Sequence, residues 1–350
     1  MSAPSLPLSP LGLVHEAERK RALALEAAGG MLVTSRPPDV RWLLCGRGRP
    51  VDASSPTAGY TIELDGGRAR VLYPDIEHPR VVAEERLEEL GYELAPYAWH
   101  EGHGLEDTPP VLDALRLELN EAERERYRRA GADVADAMRG ALARLRPETS
   151  ELEAAAVLSA GARERGFTTP VVLVAGDERQ RVHRHPLPTG AALGRHALLA
   201  ITAERDGLHV SMTRLVSFGA PPGELADLVL AAAEVDAAMI AASSPGTTTG
   251  EVLRVAADAY AERGFPDEWR LHHQGGLTGY RGREVFAVPG EATALPPSCA
   301  VAWNPSITGG AKSEDTALVD AGGVEVVTRT PDLGELATPG GLPRPAIVVV

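Results

Sequence analysis

A chain of 350 residues is long enough for two domains, and its formal net charge of −14 is the wrong sign for gripping a phosphate backbone. Its 44% hydrophobic and 24% charged content is that of an ordinary globular chain, and no apolar run approaches the ~20 residues that span a bilayer. Cys45 and Cys299 both sit in apolar settings and read as buried, reduced thiols; without a Cys-x-x-Cys pair the sequence offers no thiolate cage for zinc. The first residues are rich in Pro and Ser and lack a basic segment followed by an apolar core, so a cytoplasmic protein is expected.

Residues 15–28 are rich in Ala, Leu, Glu and Arg and predict a helix stopped by Gly29-Gly30. Residues 31–35 read as a strand, and 40–44 form a second apolar run before Gly46. Two strand-like runs, 60–64 and 69–73, flank Asp65-Gly66-Gly67, a hairpin signal. A helix over 81–90 and a strand over 92–97 complete a mixed α/β domain, placed at 1–115, with 100–110 as its linker.

The second domain, 116–350, opens with an amphipathic helix over 120–145, broken at Pro147. Ser150 and Glu153 suit a capping box for a helix over 151–165 with Gly166 at its end, and strands follow at 171–175, 198–203 and 208–218. The pattern then returns. A helix over 222–242 is broken at Pro245, and Thr248 with Glu251 caps another that ends at Gly264. In one register Pro147 falls on Pro245, and Glu164-Arg165-Gly166-Phe167 falls on Glu262-Arg263-Gly264-Phe265. This predicts a duplicated α+β unit, sheets side by side and helices outside, with a site near the pseudo-symmetric centre. The last strands are expected at 300–303, 316–319 and 324–328, then a Pro/Gly-rich loop over 331–345 and a short edge strand over 346–350.

Polar groups crowd into 271–315, interleaved with glycines, which is poor core material and good site material. His272 and His273 adjoin Gln274-Gly275-Gly276; in a strand they would face opposite ways, and the reading turns His273 inward. Imidazole is the natural proton carrier at neutral pH. Arg281 or Arg283, beside Glu284, suits a bidentate clamp on a carboxylate, or all three suit a solvated turn. Asn304 can both donate and accept, and Lys312 supplies a positive charge or stands exposed. Glu314, if buried, is expected to have a raised pKa suited to proton transfer.

Several segments, in order, carry a resemblance. They are Asp39-Val40-Arg41-Trp42-Leu43-Leu44-Cys45-Gly46, Arg184-His185-Pro186-x-Pro188, the strand pair ending in Thr213-Arg214, Asn304-Pro305, and Glu314-Asp315-Thr316. Over most of its length the sequence resembles the pita-bread superfamily of aminopeptidase P, prolidase and creatinase. The resemblance implies an α+β fold: a small N-terminal α/β domain, then a pita-bread domain made of a duplicated helix–helix–strand unit. The metallopeptidases of that superfamily hold two metal ions with two aspartates, a histidine and two glutamates. The matching positions here carry Ala200, Ser211, His273 (or His272), Asn304 and Glu314. Three carboxylates are missing, too many to neutralise two divalent ions, so neither metal nor cofactor is expected.

Creatinase works without metal, and the resemblance to it implies a catalytic set of His185, His273 and Glu314. Substrate-binding roles fall to His272, Arg281, Arg283, Glu284, Asn304, Lys312 and Ser211. The expected function is a metal-independent, creatinase-like hydrolase or lyase acting on a C–N bond of a small, carboxylate-bearing substrate. The alternatives are an Xaa-Pro aminopeptidase-like metallopeptidase with an altered metal site, and a non-catalytic small-molecule or peptide-binding protein. The resemblance further implies a homodimer, with Arg41 and Trp42 as candidate lid residues; no nucleic-acid or membrane partner is expected.

Overall fold

Two compact units form in the computed structural model, which describes residues 10–350. One runs to Arg126 and includes Asp206–Leu208; the other holds Tyr127–Arg205 and His209–Val350.

The first unit contains α1 (Pro10–Ala27), β1 (Met31–Thr34), α2 (Pro37–Leu43), β2 (Thr61–Asp65), β3 (Arg68–Pro74), a helical turn α3 (His78–Arg80) and β4 (Glu93–Tyr97). Its sheet runs β1-β2-β3-β4, with β2 and β3 joined by the expected hairpin and β4 added parallel to β3. The apolar run at 40–44 lies largely in helix α2. Prolines at its start supply a preset φ where no N–H bond is lost, and Asp39 sits in the first turn. Arg41 and Trp42, the lid candidates, are only 6% and 2% exposed and belong to the interior of this unit. The helix expected over 81–90 is broken where Arg86 takes a left-handed conformation, leaving two short helical turns.

The second unit repeats itself. Helix α4 (Glu121–Leu142) leads to α5 (Glu151–Glu164), β5 (Thr168–Gly176), α6 (Asp177–Val182), β6 (His196–Arg205) and β7 (Leu208–Ser217). Then α7 (Gly223–Ala242) and α8 (Thr249–Glu262) precede β8 (Gly275–Thr278), β9 (Val285–Phe286), β10 (Ser298–Trp303), β11 (Ser306–Ile307), β12 (Ala311–Lys312), β13 (Asp315–Asp320) and β14 (Gly323–Val326). Helices α5 and α8 both span 14 residues and both begin with a closed capping box. Ser150 Oγ accepts from Glu153 N at 3.2 Å while Ser150 N donates to the Glu153 carboxylate at 2.8 Å; Thr248 and Glu251 repeat both distances. This is the α+β pita-bread architecture with its internal duplication.

One sheet runs β17-β7-β6-β5 and the other β14-β13-β10-β8-β9, where β17 (Val348–Val349) is the expected edge strand, parallel to β7. The sheets meet along β7 and β13, where Thr213 N donates to the Glu314 carbonyl at 3.0 Å and Ser211 N donates to Thr316 Oγ1 at 2.8 Å. Short strands β15 (Glu335–Leu336) and β16 (Arg344–Pro345) pair within the Pro/Gly-rich tail. Arg344 pins that tail. It is 1% exposed; its Nε donates to Asp236 Oδ2 at 2.8 Å and its Nη2 to Asp315 Oδ2 at 2.7 Å. Arg214 Nη2 donates to the other oxygen of Asp315 at 2.9 Å, so two cations and two anions interlock in the interior.

Gly275 shows why a glycine pair opens β8. Its φ is +104°, and a Cβ there would come within 2.2 Å of the Ala302 carbonyl oxygen on the paired strand β10. Gly275→Ala is expected to cost about 2–3 kcal/mol through backbone strain and overpacking, read as a lower urea midpoint at unchanged slope.

Candidate active site

The site is a cavity of about 410 Å³ in the second unit. Pro170, Val171 and Leu173 of β5 and Ala200, Ile201 and Thr202 of β6 form its apolar wall. Opposite them stand His185, His273, Arg283, Asn304, Lys312 and Glu314, with Phe286 and His209 beside. The residues singled out from the two halves of the repeat therefore do meet.

Glu314 is the anchor. It is 5% exposed and takes three partners: Thr213 Oγ1 donates to Oε2 at 2.7 Å, Arg283 Nη2 donates to Oε1 at 3.2 Å, and Lys312 Nζ lies 3.4 Å from Oε2. Burial alone would raise its pKa, but Lys312, Arg283 and the Thr213 hydroxyl overcome that and hold it below the ordinary glutamate value. The expected rise does not occur, because burial came with two buried cations. Glu314 is a fixed anion that orients Lys312 and Arg283; no imidazole hydrogen-bonds to it. Arg283 also donates to the Gly282 carbonyl at 2.6 Å and contacts Ser211 Oγ at 3.4 Å, while its Nε is buried with no hydrogen-bond partner. Asn304 is 3% exposed, its backbone N–H donates to the Gln274 carbonyl at 3.1 Å, and among the described residues its Oδ1 has no hydrogen-bond partner.

The histidines arrive on two anchored loops. His185 follows α6, and its neighbour Arg184 is tied to the Ser306 carbonyl at 3.0 Å, to Thr308 Oγ1 at 2.7 Å and to Glu268. His272 and His273 precede β8 in a bend rather than lying in a strand, so the opposite-faces argument does not apply to them. Buried Gln274 locks the bend: its Nε2 donates to the His272 carbonyl at 2.8 Å, and its Oε1 accepts from the Tyr260 hydroxyl at 2.9 Å. All three imidazoles pack together. The ring centroids are 5.4 Å apart for His185 and His272, 5.7 Å for His185 and His273, and 5.2 Å for His272 and His273. His273 reaches the cavity, edge-on to Phe286; His272 lies behind it.

Desolvation, with help from Lys312, lowers the pKa of His185. It takes His272 down to about 2, and with Arg283 it takes His273 down to about 4. All three are neutral at pH 7. The unfolded chain takes up protons near pH 6.5 that folded His272 and His273 refuse, so between that pH and their folded values the unfolded state binds more protons. Stability is therefore expected to fall as pH drops below about 6.5. Urea melts at pH 7.5, 6 and 5 in chelator buffer check this, and His272→Asn should flatten the trend.

Arg281 and Glu284 do not line the cavity; Glu284 Oε1 accepts from Tyr280 N at 3.0 Å and shapes the turn. Ser211 is buried at the margin, 2.9 Å from the Thr202 hydroxyl. His209, Thr202, Val171 and Phe286 are lining residues that the sequence reading passed over. Val171 and Phe286 carry no chemical signal, Thr202 has its hydroxyl on Ser211, and His209 sits on an ordinary strand.

A pair of divalent ions does not fit this donor set. Among the described residues that line the cavity, Glu314 is the one carboxylate, and two side-chain cations already neutralise it.

Among the described residues no helix is long and apolar enough to cross a membrane. No curated protein sequence matches the chain. Solved structures do. An Xaa-Pro dipeptidase from Bacillus anthracis superposes with a TM-score of 0.73 at 17% identity, over 97% of this chain and 100% of its own. The dipeptidase PepE from Mycobacterium ulcerans gives 0.72 at 19% identity, over 96% and 99%. The N-terminal domain of FACT complex subunit SPT16 from Cicer arietinum (chickpea) gives 0.60 at 12% identity, over 91% and 95%. At such identities these show a shared fold. The sequence profile of metallopeptidase family M24 matches residues 125–321, more than half of the chain and all of the cavity lining. With the duplicated helix–helix–strand unit in place and that profile laid across it, the chain belongs to metallopeptidase family M24, within the pita-bread superfamily.

Proposed function

We propose that the chain is a metal-independent hydrolase, or lyase, acting on a C–N bond of a small, carboxylate-bearing substrate. The observation that carries this reading is the cluster of Arg283 and Lys312 around Glu314, facing neutral imidazoles across a partly apolar cavity. Two cations against one anion leave the polar end net positive, which suits a substrate carboxylate. Arg283 Nε is the donor still to be used, and Asn304 Oδ1 is an acceptor for a substrate N–H. His185, neutral at pH 7, takes a proton from water as the C–O bond forms and returns it to the leaving nitrogen as the C–N bond breaks. The apolar wall of β5 and β6 excludes bulk water and strengthens these interactions.

Chelator-treated protein assayed against amidino, amide and peptide compounds, each with and without a free carboxylate, tests the reading. Turnover insensitive to chelator and confined to the carboxylate-bearing members is the expected result; silence across the panel counts against it. A second reading, a binding protein without turnover, draws on His273, whose pKa of about 4 makes it a weak proton acceptor. Glu314→Gln separates neither reading but tests the anchor: substrate affinity is expected to drop about 10-fold or more as Arg283 and Lys312 lose their common partner, measured by titration calorimetry. We extend the reading to a homodimer, which light scattering checks.

A further inference from the structure

We propose that His185, His272 and His273 form a site for a single divalent ion of the zinc type, and that filling it silences the proposed proton carrier. The second half rests on the reading of His185 given above; the first does not. One ring nitrogen from each histidine lies within 4.8 Å of the other two. Tetrahedral zinc with imidazole bonds of 2.0–2.1 Å needs nitrogens about 3.4 Å apart, a gap that small side-chain rotations close. Both ring nitrogens of His272 and Nδ1 of His273 are buried, with no hydrogen-bond partner among the described residues. Native interiors rarely leave such groups unmatched; each neutral ring has one lone pair, so His272 offers one unmatched acceptor and His273 can offer another, as a ligand that takes imidazole lone pairs requires.

Two further features agree. The loops are already tied down, His185 through Arg184 and the other two through Gln274, so little order is lost on binding. Three nitrogens and no carboxylate favour zinc, cobalt, nickel or copper over magnesium or calcium. Lys312 and Arg283 line the same cavity as His185 and His273, and their like charge works against a bound cation. The site uses none of the carboxylate positions that the resemblance assigns to the family's paired-metal centre and shares with it one histidine, His273 (or His272). An ion there occupies the lone pair with which His185 accepts its proton.

The test uses the full chain, stripped of metal and dialysed free of chelator, titrated with ZnCl2 and MgCl2 by calorimetry and thermal unfolding, with CoCl2 as an absorbance probe. Expected are one zinc per chain, a raised Tm, no response to magnesium, and visible cobalt bands of a four-coordinate nitrogen site. His272→Ala and His185→Asn should each weaken zinc at least about tenfold. His185 is on an exposed loop, so its variant stays informative should His272→Ala fold poorly. Absence of stoichiometric zinc, or unchanged affinity in the His185 variant, overturns the site. Zinc binding that Glu314→Gln abolishes while His185→Asn leaves it intact overturns it too, by moving the ion to the carboxylate. Zinc binding without turnover on any substrate sustains the site and sinks the hydrolase reading; turnover that saturating zinc leaves unchanged overturns the silencing.

Discussion

Replacing Arg344 with alanine is expected to cost about 3–5 kcal/mol of folding stability, the largest loss from any single side chain considered. The guanidinium is fully enclosed and bonds Asp236 on α7 and Asp315 at the start of β13, so its removal leaves buried Asp236 with the Ser313 hydroxyl but no cation, and frees one oxygen of Asp315. Arg214 holds only the far oxygen of Asp315 and makes no bond to Asp236. The same change unpins the tail, since Arg344 lies between β15 and β17. Limited proteolysis should then cut within residues 331–350 well before the rest of the unit. Arg344→Lys keeps the charge but loses the forked geometry and should fall in between. A urea midpoint within error of wild type for Arg344→Ala would show that the network contributes nothing net.

His185→Ala is expected to lower kcat about 10²–10⁴-fold on whichever substrate the panel reveals, the usual worth of a positioned acid–base group. Because His185 is exposed, stability should change by no more than about 0.5 kcal/mol. KM should move little, since the substrate contacts proposed above are Arg283, Lys312 and Asn304. His185→Gln keeps the polarity without the titration and should be as slow. A binding protein would instead lose only a modest amount of affinity in both variants, and an enzyme with unchanged kcat would need another proton carrier, for which His209 is placed in the lining.

The duplication was legible because caps are local chemistry. Ser150 with Glu153, and Thr248 with Glu251, can be read letter by letter and fold as read. His185 and the distant group Asn304, Lys312 and Glu314 do share one cavity, and the resemblance had marked His185, Asn304 and Glu314 along the chain. What was missed depends on distant neighbours. The charge state of Glu314 was misjudged because its burial was foreseen without Arg283 and Lys312 beside it. The bend at His272–His273 follows from a glutamine side chain gripping backbone, which no periodicity announces. Residues 331–345 read as loop from their prolines and glycines, and nothing local tells that one arginine among them reaches across to Asp236. Residues 40–44 were apolar over too short a length to distinguish strand from helix; the prolines ahead of them decided it.

The positive end of the cavity is carried on the polypeptide itself. A guanidinium and an ammonium attached to the backbone cannot diffuse away, exchange with the medium or run short in a starved cell. Their number is set at translation and their spacing at folding. Any anionic guest therefore meets this same fixed pair of charges in every copy of the molecule.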